Sequence, residues 1–310
     1  MITGLPASAE RFLIDVERHQ RRLDRAQRQL TSGLKLTRVS DAPDQVSRLL
    51  TARNGLERIE QTQLNLGRVK TEVDTAEKAV GNAVSLIERA RVLGAQGSSG
   101  HQDAGTRAQV AAELEGILER LVATANVAVE GRYLFSGDTD QIAPYALDPL
   151  QPSGVSAYQG TISSRKVADA SGLTFSVGFT AELIFDGPNP DEKVFAAVNG
   201  MRRAILAVDN PPDPPDPTIP SLEEALHNLG GASVYLNQRL ATYGIIQNRV
   251  SESIDSAEKL ELSLRTQVAT IEEADLADAA TELTQARLQL DAAFQTRANT
   301  PRKSLFDYLG

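Results

Sequence analysis

The 310-residue chain has no cysteine and no tryptophan, two methionines, three histidines, and only six tyrosines and eight phenylalanines. Without cysteine there is no disulfide, no thiolate metal site and no cysteine nucleophile. The histidines are His19, His101 and His227, none with a second histidine three to five residues on, so zinc binding of the HExxH type is excluded. A net charge of −9 and a pI near 5.0 argue against a polyanionic partner, because nucleic-acid-binding domains carry a basic excess. No run approaches the 18 apolar residues of a membrane span. The first twenty residues hold only Phe12-Leu13-Ile14 before Asp15, too short for a signal-peptide core, so a soluble chain without a Sec-type address is expected.

Recognisable site chemistry is sparse as well. The SGDTD stretch at 136–140 spaces Asp138 and Asp140 as an EF-hand does, but lacks the later glycine and the closing glutamate. Gly131 and Gly137 flank RYLFS without forming a phosphate cradle or a dinucleotide fingerprint, and no Walker A loop occurs. Glu272-Glu273 and the other carboxylates fall at solvent-facing helical spacing. No catalytic, cofactor or metal site is therefore expected, and the chain reads as a non-enzyme.

What the sequence has in quantity is helical periodicity. Phe12, Val16, His19, Leu23, Ala26 and Leu30 recur every three or four residues, a heptad stripe. A break at TSGLKLTRVSDAPD follows, with Ser40 or Asp41 placed to cap the next helix. That helix runs from about Asp44 to Ala95 with a stripe of Leu66, Val69, Val73, Ala76, Val80, Ala83, Ile87 and Ala90, and GAQGSSG ends it. A third helix carries Val110, Leu114, Ile117, Leu121 and Ala125. Beyond EGRYLFSGDTD the period drops to two: Leu173, Phe175, Val177 and Phe179 alternate with small or polar residues, and VSAYQG and AELIFDG read as further strands.

Helical spacing returns at Val194, Val198, Met201, Ile205 and Val208, and NPPDPPDPTIP must form an exposed, stiff loop. Then Leu222, Leu226, Leu229, Ser233, Leu236, Leu240 and Tyr243 resume the heptad, and Leu276, Ala279, Leu283, Ala286, Leu290 and Ala293 mark a last helix. The fold expected is mainly α: a long antiparallel helical rod or coiled coil formed by the N- and C-terminal segments, with a small inserted β-rich domain. The expected divisions are a terminal helix and turn (1–43), the first half of the rod (44–130), the insert (131–191), the second half of the rod (192–264) and a terminal helix (265–310).

The two ends carry opposite charge. Residues 11–38 have a net charge of +5 and residues 252–291 a net charge of −7. Two heptad helices of opposite sign are suited to pair, with the charges choosing the partner and the apolar seam supplying most of the stabilisation. With alanine at half its positions the last seam buries little by itself, so ordering within an assembly is expected. The chain then stops on KSLFDYLG, two aromatics beside two leucines where chain ends are usually polar. Phe12, Val16, Leu23, Leu30, Leu276, Leu283, Leu290, Leu305, Phe306, Tyr308 and Leu309 are the candidate assembly residues.

TSGLKLTRVSDAPD after a basic amphipathic helix, Asn65 within QTQLNLGRVKTEVDTAEKAV, NVAVEGRYLFSGDTDQIAPY, EADLADAATELTQARLQLDAAFQT and the ending SLFDYL resemble the flagellin family. GRYLFSG and the ending are most similar to its hook-associated members, which join hook to filament. The resemblance implies a structural subunit of the bacterial flagellum, extracellular, and exported through the flagellar type III apparatus with the help of a chaperone. It further implies a homo-oligomeric ring of about eleven copies between a hook-side junction protein and flagellin, with no nucleic acid and no membrane insertion. The alternatives are flagellin itself, which the aromatic tail speaks against, and a secreted enzyme on a flagellin-like frame, which the short insert speaks against.

Overall fold

A computed structural model describes residues 7–36, 43–100 and 102–299. Seven α-helices dominate these: α1 (Ala7–Ser32), α2 (Pro43–Gly97), α3 (Ala104–Ala125), α4 (Ala181–Phe185), α5 (Val194–Asp209), α6 (Leu222–Glu272) and α7 (Leu276–Asn299). Four short strands, β1 (Ala128–Val129), β2 (Arg132–Tyr133), β3 (Lys166–Ala168) and β4 (Thr174–Ser176), form two antiparallel pairs, β1 with β2 and β3 with β4. The chain divides into two compact units, one of residues 1–58 with 260–310 and one of residues 59–259.

The larger unit has the main core. Every residue of the stripe from Leu66 to Ala90 is buried, as are Val110, Leu114, Ile117 and Leu121 of α3 and Val194, Val198, Met201 and Ile205 of α5. α2 and α6 run antiparallel here: Gln247 donates to Asp74 at 3.0 Å, and the Ser233 hydroxyl donates to Glu88. That hydroxyl, followed by Arg91, holds the Glu88 carboxyl below its ordinary range. α3 begins at Asp103, whose side chain accepts from the Thr106 amide at 2.6 Å, a Ser/Thr/Asp-type N-cap.

The segment between α3 and α5 folds around a compact aromatic cluster. A two-residue turn, Glu130 and Gly131 both at positive φ, joins β1 to β2, the backbone twist that tight hairpins need. Asn126 then fixes Tyr145 through both its backbone groups, at 2.7 and 3.1 Å. This brings the Tyr145 ring 4.9 Å from that of Phe195, which stacks on Phe185 at 5.3 Å. Burial pushes the neighbouring Tyr158 hydroxyl up to about 12; it reaches Phe135 O at 2.9 Å and Thr161 O at 3.1 Å.

Two of the expected strands take other forms. AELIFDG is helical from Ala181 to Phe185, because Ala181, Ile184 and Phe185 are buried at one-turn spacing and the segment lacks the β-branched run of a strand. VSAYQG contributes one isolated bridge, Val155 to Leu147. The alternation at 173–179 is partly realised: Phe175 and Val177 are buried, while Leu173 is exposed.

The segment from β3 to β4 is strapped to α2 and α6 within this unit. Glu72 of α2 pairs with Arg165 and lies 3.9 Å from Arg132. From α6, Arg249 sits over the Phe175 ring at 4.4 Å, and the Tyr243 hydroxyl accepts from the Phe179 amide at 3.2 Å.

Candidate functional site

In the smaller unit α1 packs antiparallel on α7. One helical face of α1 is shielded: Val16 and Ala26 are buried, and Phe12, His19, Leu23 and Leu30 half-buried, while the residues between them are mostly exposed. Near the start of α1 the Phe12 ring meets Phe294 edge-on at 6.1 Å, and the Arg297 guanidinium lies 5.6 Å over the Phe12 ring. At the other end Gly33, at φ +71, terminates α1 and turns the chain back. There Lys35 N donates to Glu272 O at 2.7 Å and Ala274 N to Gly33 O at 2.9 Å, a short bridge to the turn between α6 and α7. Asp275 caps α7 by accepting from the Ala277 and Asp278 amides at 2.9 and 3.1 Å.

Charge follows the same alignment. Arg22 lines a shallow cleft with Asp278, Glu282 and Gln285, placing a base of α1 among acids of α7. Arg53 of α2 pairs with Glu272, which is mostly shielded. By contrast, Arg18–Asp15 and Arg21–Glu17 lie along the exposed side of α1 and contribute little to stability.

Within the alternating leucine and alanine stripe of α7, two alanines lie innermost. On α7 it is Ala279 and Ala286 that are buried, with Leu283 and Leu290 half-buried and Leu276 about half exposed at 52 %. Small residues let the helix backbones approach closely, and the longer leucines are left to the flanks. Leu305, Phe306, Tyr308 and Leu309, named from the tail, lie outside the described residues. Phe294 was missed by periodicity reading because it falls beside the 3-4 stripe; its only sequence signal is the scarcity of aromatics.

A set of large apolar side chains remains on the outside of this pair. Leu13 and Ile14 of α1 are exposed, as are Leu288 and Phe294 of α7. Exposed apolar residues on both partners leave area for contacts beyond this chain.

Elsewhere the charged groups engage one another. A cavity of about 250 Å³ between α2 and the β1–β2 hairpin is lined by Glu72, Arg132, Asp138, Asp140 and Arg165, where Glu72 and Asp140 face the arginines. The SGDTD loop is a turn: Asp138 N donates to Thr161 Oγ1 at 2.7 Å, and Tyr133 N donates to Asp140 O at 2.8 Å. His227 is exposed, and His19 is half-buried with its Nδ1 unbonded among the described residues. No helix among the described residues is long and apolar enough to cross a membrane.

Residues 7–140 match the bacterial flagellin N-terminal helical region, and residues 226–309 match the bacterial flagellin C-terminal helical region. The chain belongs to the flagellin family. The two matched stretches make up well over half of it and contain both α1 and α7.

Among curated relatives, flagellar hook-associated protein 3 of Salmonella typhimurium is 22 % identical over 294 residues, 90 % of each chain. Flagellar hook-associated protein 3 of Escherichia coli is 24 % identical over 159 residues, and that match spans about half of each protein, 51 % of this chain and 48 % of the other. The fold is similar to that of a flagellar hook-associated protein from Vibrio parahaemolyticus, with a TM-score of 0.64 at 18 % identity over 75 % of this chain and all of that one. It is also similar to FlgL of Xanthomonas campestris, with a TM-score of 0.59 at 17 % identity over 70 % of this chain and 99 % of that one.

Proposed function

We propose that the chain is a structural subunit of the bacterial flagellum that joins hook to filament and assembles through its terminal helices. The observation that carries this reading is the pairing of α1 with α7 on a thin alanine seam, in a chain whose nearly full-length relative is a hook-associated protein 3. A seam built on Val16, Ala26, Ala279 and Ala286 buries little apolar area at about 25 cal/mol per Å², so neighbouring copies supply the rest. Phe12, Val16, Leu23 and Leu30 hold α1 in register with Leu283 and Leu290 of α7. Leu276 and the tail residues Leu305, Phe306, Tyr308 and Leu309 face other subunits.

The partners in this reading are further copies of the chain in a ring of about eleven, a hook-side junction protein, flagellin and an export chaperone. The location is extracellular, reached through the flagellar type III apparatus. The chain works as a mechanical link and performs no catalysis.

Disrupting the gene tests the function directly: hooks should be complete and filaments shed into the medium. Restoring the gene without residues 305–310 should leave the larger unit folded and the filaments still shed. Hooks that bear attached filaments in the disrupted strain would overturn the junction role, and incorporation of the truncated chain would overturn the role of the tail. If the chain were instead the filament's bulk subunit, disruption would abolish filament protein in the medium altogether.

A further inference from the structure

Asp–Pro bonds are the peptide bonds most easily broken by acid, because the aspartate carboxyl can attack its own main-chain carbonyl and the proline nitrogen is an unusually basic leaving group. The chain has three: Asp148-Pro149, Asp213-Pro214 and Asp216-Pro217. The fold treats them differently.

Asp148 is held in a turn, its Oδ1 accepting from Leu150 N at 3.1 Å and its main-chain oxygen from Gln151 N at 3.1 Å. Asp216 is held more firmly. Its Oδ1 accepts from the Thr218 amide at 2.8 Å and hydroxyl at 2.7 Å, its Oδ2 from Arg203 at 2.5 Å, and its main-chain oxygen from Ile219 N at 3.2 Å. Both carboxylate oxygens are thus engaged, and the Thr218 bonds first, with Arg203 adding, keep the group ionised below the usual carboxylate range. Asp213 stands between Pro212 and Pro214 on the exposed loop from α5 to α6, with no hydrogen-bond or ionic partner among the described residues.

We propose that Asp213 is a self-cleavage site of the folded chain in mild acid. A carboxyl oxygen of Asp213 attacks its own main-chain carbonyl carbon, closing a five-membered anhydride. The C–N bond to Pro214 breaks, and its electron pair stays on the proline nitrogen, which takes a proton from the acidic solvent. One water then opens the anhydride and restores the Asp213 side chain beside a new terminal carboxyl. The loop opens between two helices, leaving residues 1–213 with α1 to α5 and residues 214–310 with α6 and α7.

The test is incubation of the intact protein at about pH 4, near the ordinary carboxylate value, with folding checked by circular dichroism and fragments identified by mass spectrometry. The folded chain should be cut after Asp213 about tenfold faster than after Asp148 or Asp216, the factor expected for breaking hydrogen bonds to a charged group. In urea the three bonds should be cut at similar rates, since the hydrogen bonds that separate them are gone. Asp213→Ala should remove the first cut, and Arg203→Ala should speed cleavage after Asp216 without changing that after Asp213. A first cut after Asp148 or Asp216 in the folded protein would overturn the proposal. So would no cut, the same pattern folded and unfolded, or cleavage after position 213 in Asp213→Ala.

Discussion

Ala26→Asp on α1 probes the feature on which the functional reading depends. Ala26 is fully buried (0 % exposed), and the buried residues across the seam are Ala279 (3 %) and Ala286 (1 %) of α7. A carboxylate there has no space and no designed partner, and an unpaired buried charge costs about 3–5 kcal/mol. Two features reduce that figure. The site lies between two helices rather than deep in a core, and Arg22, one turn earlier on the same helix, can lean toward the new charge. A cost of about 2 kcal/mol remains, roughly 30-fold in the equilibrium for opening the pair. Hydrogen exchange on the intact chain, read by mass spectrometry, should show amides of α1 and α7 exchanging about 30-fold faster, with α3 and α5 unchanged. Gln20→Asp on the exposed side of α1 is the control and should change neither helix. If α7 exchanged at its original rate in Ala26→Asp, α1 would not be what holds it, and the paired terminal helices would lose their role.

Three further outcomes follow from the larger unit. Gly154→Ala should lower stability in urea unfolding by about 2 kcal/mol, since Gly154 sits at φ +77 and a Cβ would come 2.7 Å from Leu118 and 3.0 Å from Asn199. Tyr243→Phe should cost about 1 kcal/mol by leaving the Phe179 amide without its acceptor, with helix content unchanged by circular dichroism. Arg107 donates to both carboxylate oxygens of Asp209, at 2.8 and 2.5 Å, and this pairing depresses the Asp209 pKa. Its stabilisation is therefore present at neutral pH and lost as pH falls through the depressed value. Arg107→Ala should shift the urea midpoint at pH 7, and the difference from the parent should shrink and vanish as pH falls below the ordinary carboxylate range and through the depressed value.

How much of this was legible in the sequence depended on how each residue meets its neighbours. The stripe from Leu66 to Ala90 and the α3 stripe were readable because these helices bury one face against several others, so periodicity maps directly onto burial. The pairing of α1 with α7 was readable from opposite charge and matching heptads, and Arg22 beside Asp278 and Glu282 carries that signal into the structure. The inner line of α7 was readable in its alanines, since Ala279 and Ala286 of the stripe are buried, but not in its leucines: hydrophobicity alone puts Leu276 inside, whereas it stands about half exposed.

Ala181–Phe185 was misread because five residues are too few for a period to declare itself, and what holds it lies outside the segment: Phe185 stacks on Phe195, and Ala181 N donates to Phe135 O. The clasp of Glu72 with Arg165, and the ladder of Arg249 and Tyr243 on Phe175 and Phe179, join residues far apart in the chain. No local pattern announces such contacts.

Because Phe12 finds Phe294 and Gly33 finds Ala274, the smaller unit closes only when two segments more than two hundred residues apart, 12–33 and 274–294, meet. Contacts so remote in sequence are late events in folding, since the intervening chain must already be compact before such a loop can shut at acceptable entropy. In a chain that emerges amino end first, α1 has no mate until α7 follows, so completion of this unit waits on the segment farthest from it among the described residues.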